Sequence, residues 1–294
     1  MSQRIICIGE LMTDVVALLI DEIAYGSDTS VKITYNGGGA AANVAAWLGV
    51  KGSDVTLVAR VGADASGVNC IDEIERCDVI SAVVVDPRAA TGTVIVLVAQ
   101  NGERTMLPDS GANGLIEAKD VPLLSPADRI YFSGYLLLNS RSRKAAREIL
   151  ESARDAGAQI IVDPSSAAPI RRVGASNFLT WLGKVDVLLA NLEEALVLSG
   201  ESDPWLAAQK LLTSAGTVVV KLGAQGAIAL TETGRYQVSA VPVDHVVDTT
   251  GAGDSFAAGF MLADGNLDES LHSGAKVAAE CVVSVGARPQ VVNR

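Results

Sequence analysis

The chain has 294 residues, long enough for one large α/β domain with a sizeable core and a small appendage. Its residues are 49% apolar but only 4% aromatic, so the core is built from Val, Leu, Ile and Ala, which suits a sheet between closely packed helices. A net charge of −11 argues against a nucleic-acid or anionic-membrane surface, but leaves room for a nucleotide held by backbone amides.

Residues 4–9 read as a buried first strand, and residues 13–20 and 31–35 as two further β segments. The apolar stretch 15–20 is far shorter than the roughly 20 residues a membrane span needs, and no signal peptide is visible, so a cytoplasmic protein is expected. Residues 40–48 are Ala-rich and helical, 55–60 form a strand, 67–76 a helix and 79–85 a strand. A hairpin follows, with strands at 93–99 and 104–107 joined through the turn dipeptide Asn101-Gly102. The remainder alternates regularly. Strands are expected at 129–133, 159–162, 185–189 and 217–222, and helices at 141–156, 193–199 and 204–214. That alternation implies a parallel sheet covered on both faces. The early extra strands fall outside its rhythm and make a small β lid from about residues 13–36 and 90–107, inserted in a single domain spanning 1–294. Cys7, Cys70, Cys77 and Cys281 lack metal-type spacing and read as reduced, buried thiols.

The most informative segment is Asp248-Thr249-Thr250-Gly251-Ala252-Gly253-Asp254, which leads into a helix from Ser255. Gly251, Ala252 and Gly253 permit close backbone approach, and the free amides of a helix start form an anion site. An acid in a first helical turn also suits the helix dipole. A capping acid, however, needs no Gly-Ala-Gly run before it. A carboxylate beside an anion hole is what in-line phosphoryl transfer requires.

A second segment, Asn36 to Asn43, passes from the lid into a helix through Gly37, Gly38 and Gly39. Asn43, on an otherwise apolar helix, needs a polar partner, either a bound polyol or a backbone cap. Asp14, at the start of the lid, is a solvated turn residue or an acceptor for ligand hydroxyls. Lys221, Gly223 and Gly226 follow an apolar strand, where a loop can lie against a nucleotide or make a tight turn. Asn191 and Glu194 read as a helix cap or as a water-mediated hold on Mg²⁺ or phosphate. Arg104, on the returning lid strand, reaches an acidic or hydroxylated substrate or stays solvated. The G-x-G-x-x-A pattern at Gly37, Gly39 and Ala42 is misplaced for a dinucleotide fold, and no Walker A, H-E-x-x-H or G-x-S-x-G motif occurs.

Together these segments resemble the ribokinase or PfkB carbohydrate kinase family over essentially the whole chain. The 248–254 segment is similar to its C-terminal signature, Gly38-Gly39 with Asn43 to its N-terminal signature, and Asn191 to Glu194 to its N-x-x-E element. The resemblance implies a three-layer αβα sandwich with a central, mostly parallel sheet and a β lid. It implies ATP-dependent phosphorylation of a hydroxymethyl group on a small sugar or related polyol, with Mg²⁺. Asp254 would be the base, with Asp14, Gly38, Gly39 and Asn43 on the acceptor. Lys221, Gly223 and Gly226 would lie beside ATP, with Ser273, Gly274 and Ala279. A monovalent cation, K⁺, would use Asp248, Thr250 and backbone near 283–287. Gly134 or Tyr135 stands where ribokinase-type members carry an acid that touches ribose, which points away from ribose itself. The stretch Asp163 to Ser166 lacks the arginine pattern of a fructokinase or 2-keto-3-deoxygluconate kinase. A nucleoside kinase, with Tyr135, Phe132 or Met106 forming a base slot, or a catalytically silent sugar- or nucleotide-binding protein are the alternatives. Neither nucleic acid nor membrane is an expected partner. The apolar runs 15–20 and 94–98 suit either a homodimer formed through the lid or packing on the domain itself.

Overall fold

The computed structural model describes residues 3–100, 103–263 and 265–290. From the N-terminus run β1 (Ile5–Ile8), β2 (Met12–Leu19), β3 (Val31–Gly38), α1 (Ala40–Val50), β4 (Val55–Gly62), α2 (Ala65–Glu75), β5 (Ile80–Asp86), β6 (Gly92–Val98) and β7 (Arg104–Asp109). Then come β8 (Arg129–Ser133), α3 (Tyr135–Leu138), α4 (Arg143–Asp155), β9 (Gln159–Asp163), α5 (Ala167–Val173), α6 (Ala175–Leu182), β10 (Val185–Asn191), α7 (Leu192–Ser199) and α8 (Pro204–Leu211). The chain closes with β11 (Ala215–Lys221), β12 (Ala227–Thr231), β13 (Arg235–Val238), α9 (Ala252–Leu262) and α10 (Leu267–Cys281).

Among the described residues the large sheet has the order β13-β12-β11-β10-β9-β8-β1-β4-β5. It is parallel from β11 to β5 and antiparallel only at β12 and β13. Its strands are buried on both faces because their side chains alternate between two apolar layers. Cys7, Leu57, Tyr131 and Ile161 pack with Ala41, Val44, Phe256 and Leu271 on one side. Ile6, Ile8, Ile130 and Phe132 pack with Ile149, Leu150, Phe178 and Leu198 on the other. Helix α4 shows why such segments are helical. Its Ala146, Ile149, Leu150 and Ala153 recur at helical spacing and form the buried stripe.

The second sheet, β3-β2-β6-β7, is the lid. Its strands lie within a few residues of the expected 13–36 and 90–107, with β2–β3 and β6–β7 antiparallel and β2–β6 parallel. The turn expected at Asn101-Gly102 lies outside the described residues. Helices α5 and α6 and the β12–β13 extension are additions to the sequence expectation. Pro169 sits in the first turn of α5, where its missing N–H costs little, and Gly174 separates the two helices. Among the described residues no helix is long and apolar enough to cross a membrane.

Lid and body meet at Gly39, the N-cap of α1, with φ +98° and ψ 125°. A Cβ there would run into the Glu10 carbonyl just after β1, which accepts from the Ala42 amide at 3.3 Å. Asn113 secures the same crossing, accepting from the Leu11 amide at 3.2 Å and donating to the Leu11 carbonyl at 3.0 Å. Gly39→Ala is therefore expected to lower the unfolding free energy by about 1–3 kcal/mol in urea denaturation, and an unchanged midpoint would refute this close approach.

Candidate active site

The carboxyl ends of the parallel strands converge on the start of α9, the edge where open α/β sheets bind ligands. Lys221 ends β11 and Asp163 ends β9, and the ammonium donates to Asp163 Oδ2 at 2.6 Å with the side chains only 11% and 7% exposed. Burial opposes the charge on Lys221, but Asp163, Glu194 and Asp254 outweigh it and leave its pKa above the usual value. Asn191, at the end of β10, caps α7. Its side-chain oxygen accepts from the Glu194 amide at 2.9 Å, while its own amide and Nδ2 donate to the Glu194 carboxylate at 2.9 and 2.6 Å. The capping reading of this pair is thus present. The acid is also buried and faces the cluster. Burial, then repulsion from Asp163, pushes Glu194 up to about 8, with Lys221 opposing.

Asp254 stands in the first turn of α9, behind the left-handed N-cap Gly251. Gly251 has φ +77°, and an added Cβ would lie 2.5 Å from the Ala287 Cα, so glycine is required by conformation and by space. Asn43 donates to Asp254 Oδ2 at 2.8 Å, which supplies the polar partner that its helix position demands. Burial pushes Asp254 up to about 7 against that hydrogen bond. Asp163 and Glu10 add to the rise and Lys221 opposes it. A Cβ on Gly253 would lie 3.3 Å from Lys221 Nζ, so the ammonium borders the turn whose amides begin α9. Glu10 completes the cluster. Its Oε2 accepts from the Ser133 hydroxyl at 2.7 Å, Oε1 has no partner among the described residues, and burial raises it to about 7.

On the lid side, a Cβ at Gly38 would fall on the Asp14 carboxylate, so Asp14 lies folded against the segment preceding α1. Burial raises Asp14 to about 6, with Arg288 opposing. Arg288 donates to the Gly38 carbonyl at 2.8 Å, to Asn43 Oδ1 at 3.2 Å and to Glu73 at 3.0 Å. Asn43 thereby joins Arg288 to Asp254. The structure brings Asp14, Gly38, Asn43, Lys221, Glu194 and Asp254 into one region, together with Glu10, Asp163 and Arg288, which sequence reasoning missed. Glu10 and Asp163 had a usable signal, since each ends or follows an apolar parallel strand.

Arg104 is committed within the protein, to the Thr250 hydroxyl and, at 2.6 Å, to Asp248 Oδ1. Asp248 also accepts from the Thr250 amide at 2.7 Å and the Gly286 amide at 3.1 Å. Burial opposes ionisation of Asp248, yet the hydrogen bonds from Thr250, Gly286 and Arg104 hold it down at about 2. Gly223 and Gly226 bound the turn between β11 and β12, and Gly274 packs on Phe256 where α10 crosses α9. Their local roles are thus met by the fold itself, and Ser273 and Ala279 are half-buried on α10. Phe132 is fully buried in the core, which removes it from any base slot.

Among the described residues no group of three or more His, Cys, Asp or Glu could hold a metal ion. The oxygen donors present, Asp163, Asn191 and Glu194, nevertheless suit a hard cation. Glu194, pushed up by burial and by repulsion from Asp163, gains from a nearby divalent charge, in the manner of Mg²⁺ that keeps its waters and rests on substrate phosphates.

The model of the pfkB family carbohydrate kinases matches residues 2–293. An ATP-dependent ribose-1-phosphate kinase of Halopiger xanaduensis is 31% identical over 274 residues, spanning 91% of this chain and 88% of that protein. A probable sugar kinase of Rhizobium etli superposes with a TM-score of 0.88 at 25% identity, over 98% of this chain and 96% of the other. An adenosine kinase of Sinorhizobium meliloti superposes with 0.86 at 26% identity, over 99% and 96%.

The raised carboxylates have a consequence for stability. In the unfolded chain Asp254 ionises near its ordinary 3.8, in the fold only at about 7, so the folded protein loses stability as pH rises between the two. Asp254→Asn is expected to be more stable than the parent by on the order of 2–4 kcal/mol at about pH 8 in urea denaturation, and by less than half that at about pH 5. A pH-independent difference would contradict the burial of an ionised Asp254.

Proposed function

The chain belongs to the pfkB family of carbohydrate kinases, and on that footing we propose that it transfers the γ-phosphoryl group of ATP to a hydroxymethyl group of a small sugar or related polyol, with Asp254 as the base. The observation that carries this reading is the placement of Asp254, held by Asn43 and bordered by both an amide-lined turn and the Lys221 ammonium.

In this mechanism the acceptor hydroxyl lies between Asp254 and the γ-phosphorus. Its proton passes to the carboxylate as its oxygen forms the new P–O bond, and the bond to the β-phosphoryl oxygen breaks, releasing ADP. The amides of Gly251 and Gly253 receive the charge on the migrating group, with the Lys221 ammonium beside them, while the Ala252 amide donates to the Thr249 carbonyl at 3.2 Å and shapes the turn. Asp14, Gly38, Gly39 and Asn43 face the acceptor, and Asn43 orients the base. Gly223, Gly226, Ser273, Gly274 and Ala279 lie on the side given to the nucleotide. Asn191 and Glu194 would hold the water shell of Mg²⁺ beside Asp163. When bound, Mg²⁺ neutralises the nucleotide phosphates. The lid excludes water from the transfer. ATP supply and four buried free cysteines fit a cytoplasmic setting.

The relatives' own acceptors, ribose 1-phosphate and adenosine, make ribosyl compounds a second class to test, and Arg288 beside Asn43 favours including phosphorylated sugars. A homodimer through the lid is also part of this reading. Tyr35, Val15, Ile95 and Leu107 form one cross-strand row on the lid face opposite Asp14, with Tyr35, Ile95 and Leu107 at 73%, 43% and 51% exposed.

Acceptor-dependent ADP release from MgATP across sugars, phosphosugars, keto-deoxy acids and nucleosides is expected. Asp254→Asn should lower kcat by about 10²–10⁴-fold. With the parent protein, kcat/KM should climb with pH up to about 7 and then level off, because the base of the free protein must lose its proton. Turnover surviving in Asp254→Asn would refute its role. Light scattering should give a mass near twice 30.4 kDa, and Ile95→Asp should halve it; a parent protein at 30.4 kDa would remove the dimer.

A further inference from the structure

The segment that leads into the anion-hole turn is held by one carboxylate. Asp248 Oδ1 accepts the Thr250 amide, and Oδ2 accepts the Gly286 amide from the C-terminal segment. That segment is fixed in turn by Val247, whose amide donates to the Val282 carbonyl at 2.8 Å, and by Trp47, whose indole donates to the Ala287 carbonyl at 2.9 Å. Gly251 packs directly on Ala287, so a shift at Asp248 is transmitted to the amides of 251–253. The carboxylate is only 10% exposed and needs a positive charge beside it.

The expected source is a monovalent ion bound to Asp248 and Thr250. The side-chain oxygens such an ion would use are instead engaged by Arg104, whose two terminal nitrogens reach the Thr250 hydroxyl and Asp248 Oδ1. Arg104 comes from the lid, 144 residues away from Asp248 in sequence. By strand register it lies on the same lid face as Asp14, since Val98 pairs with both Arg104 and Leu18, and Leu18 is four residues from Asp14 along β2. In this arrangement the guanidinium touches no residue assigned above to the acceptor.

We propose that Arg104 is a positioning residue that takes the place of a monovalent cation: the lid carries the positive charge to the Asp248–Thr250 turn, so the anion hole is ordered without K⁺ and only while the lid is down. The inference rests on the kinase reading for its kinetic arm and stands apart from it in its structural arm. A guanidinium suits the task because its planar donors serve a carboxylate and a hydroxyl together.

The test compares the parent protein with Arg104→Ala in potassium chloride and in choline chloride at equal ionic strength, choline being too large to enter the turn. Thermal unfolding reads the structural arm. The parent is expected to melt at the same temperature in both salts, whereas Arg104→Ala should gain about 2–4 °C in potassium as the ion enters the vacated turn. ADP release reads the kinetic arm. The parent should change less than about twofold between salts, while Arg104→Ala should fall about 100-fold in choline and recover about tenfold or more in potassium. A parent protein whose rate collapses in choline, or an Arg104→Ala protein whose melting temperature ignores potassium, would overturn the proposal. A parent protein that releases no ADP with any acceptor would instead sink the kinase reading, and the melting comparison would still decide the role of Arg104.

Discussion

The ammonium of Lys221 in contact with Asp163 is the interaction on which the carboxyl edge of the sheet depends. Glu10, Asp163, Glu194 and Asp254 crowd the same region, and Lys221 offsets their repulsion. Without it, several buried carboxylates would face one another in a medium that screens charge poorly. Removing one partner of such a pair is strongly destabilising because it strands the other. The strand order β11-β10-β9-β8-β1 makes this arrangement, since it sets the ends of those strands side by side at the head of α9. The fold thus delivers an excess of negative charge, and burial among it raises Glu10, Glu194 and Asp254 above the range of free acids, while Asp163 pairs with Lys221. A site built in this way is primed for cationic company and for a base that works near neutrality.

Two arginines tie the lid and the C-terminal segment to that edge. Arg288 links Gly38, Asn43 and Glu73, and through Asn43 it reaches the Asp254 carboxylate. Arg104 links the lid strand β7 to the turn before α9. In both cases a planar cation spans elements distant in sequence and satisfies several acceptors together, which a lysine does less well. Gly38, Asn43, Asp254 and the turn that begins α9 are therefore one connected structure. The lid's position is tied to the Asp248–Thr250 turn through Arg104.

Much of the fold was legible because its signals are local. Apolar runs ending in Gly, Asp or Asn marked the parallel strands, and the small residues before Asp254 marked a backbone approached closely by something else. The lid was legible because β-branched runs interrupted the α/β rhythm. Helices α5 and α6 were not, since Pro169 and Gly174 interrupt the helical pattern locally although both sit where helices tolerate them. The partnership of Lys221 with Asp163 spans 58 residues and exists only because β9 and β11 flank β10, which no local pattern states. Arg288 follows the last helix with no motif around it. Arg104 was visible, but its partner was not: solvent, substrate and Asp248 are equally good acceptors until the lid is placed over the turn.

Glu10, Glu194 and Asp254, raised by burial in the free protein, are expected to surrender protons when a nucleotide and its cation arrive. Calorimetric titration with MgATP, in buffers of differing ionisation enthalpy, tests this most directly. With Mg²⁺ in excess and at about pH 7, on the order of one proton should be released per nucleotide bound, and Glu194→Gln should release fewer. Binding heats that do not depend on the buffer, or proton uptake, would mean that the cluster is already ionised and that the electrostatic account of the site is wrong.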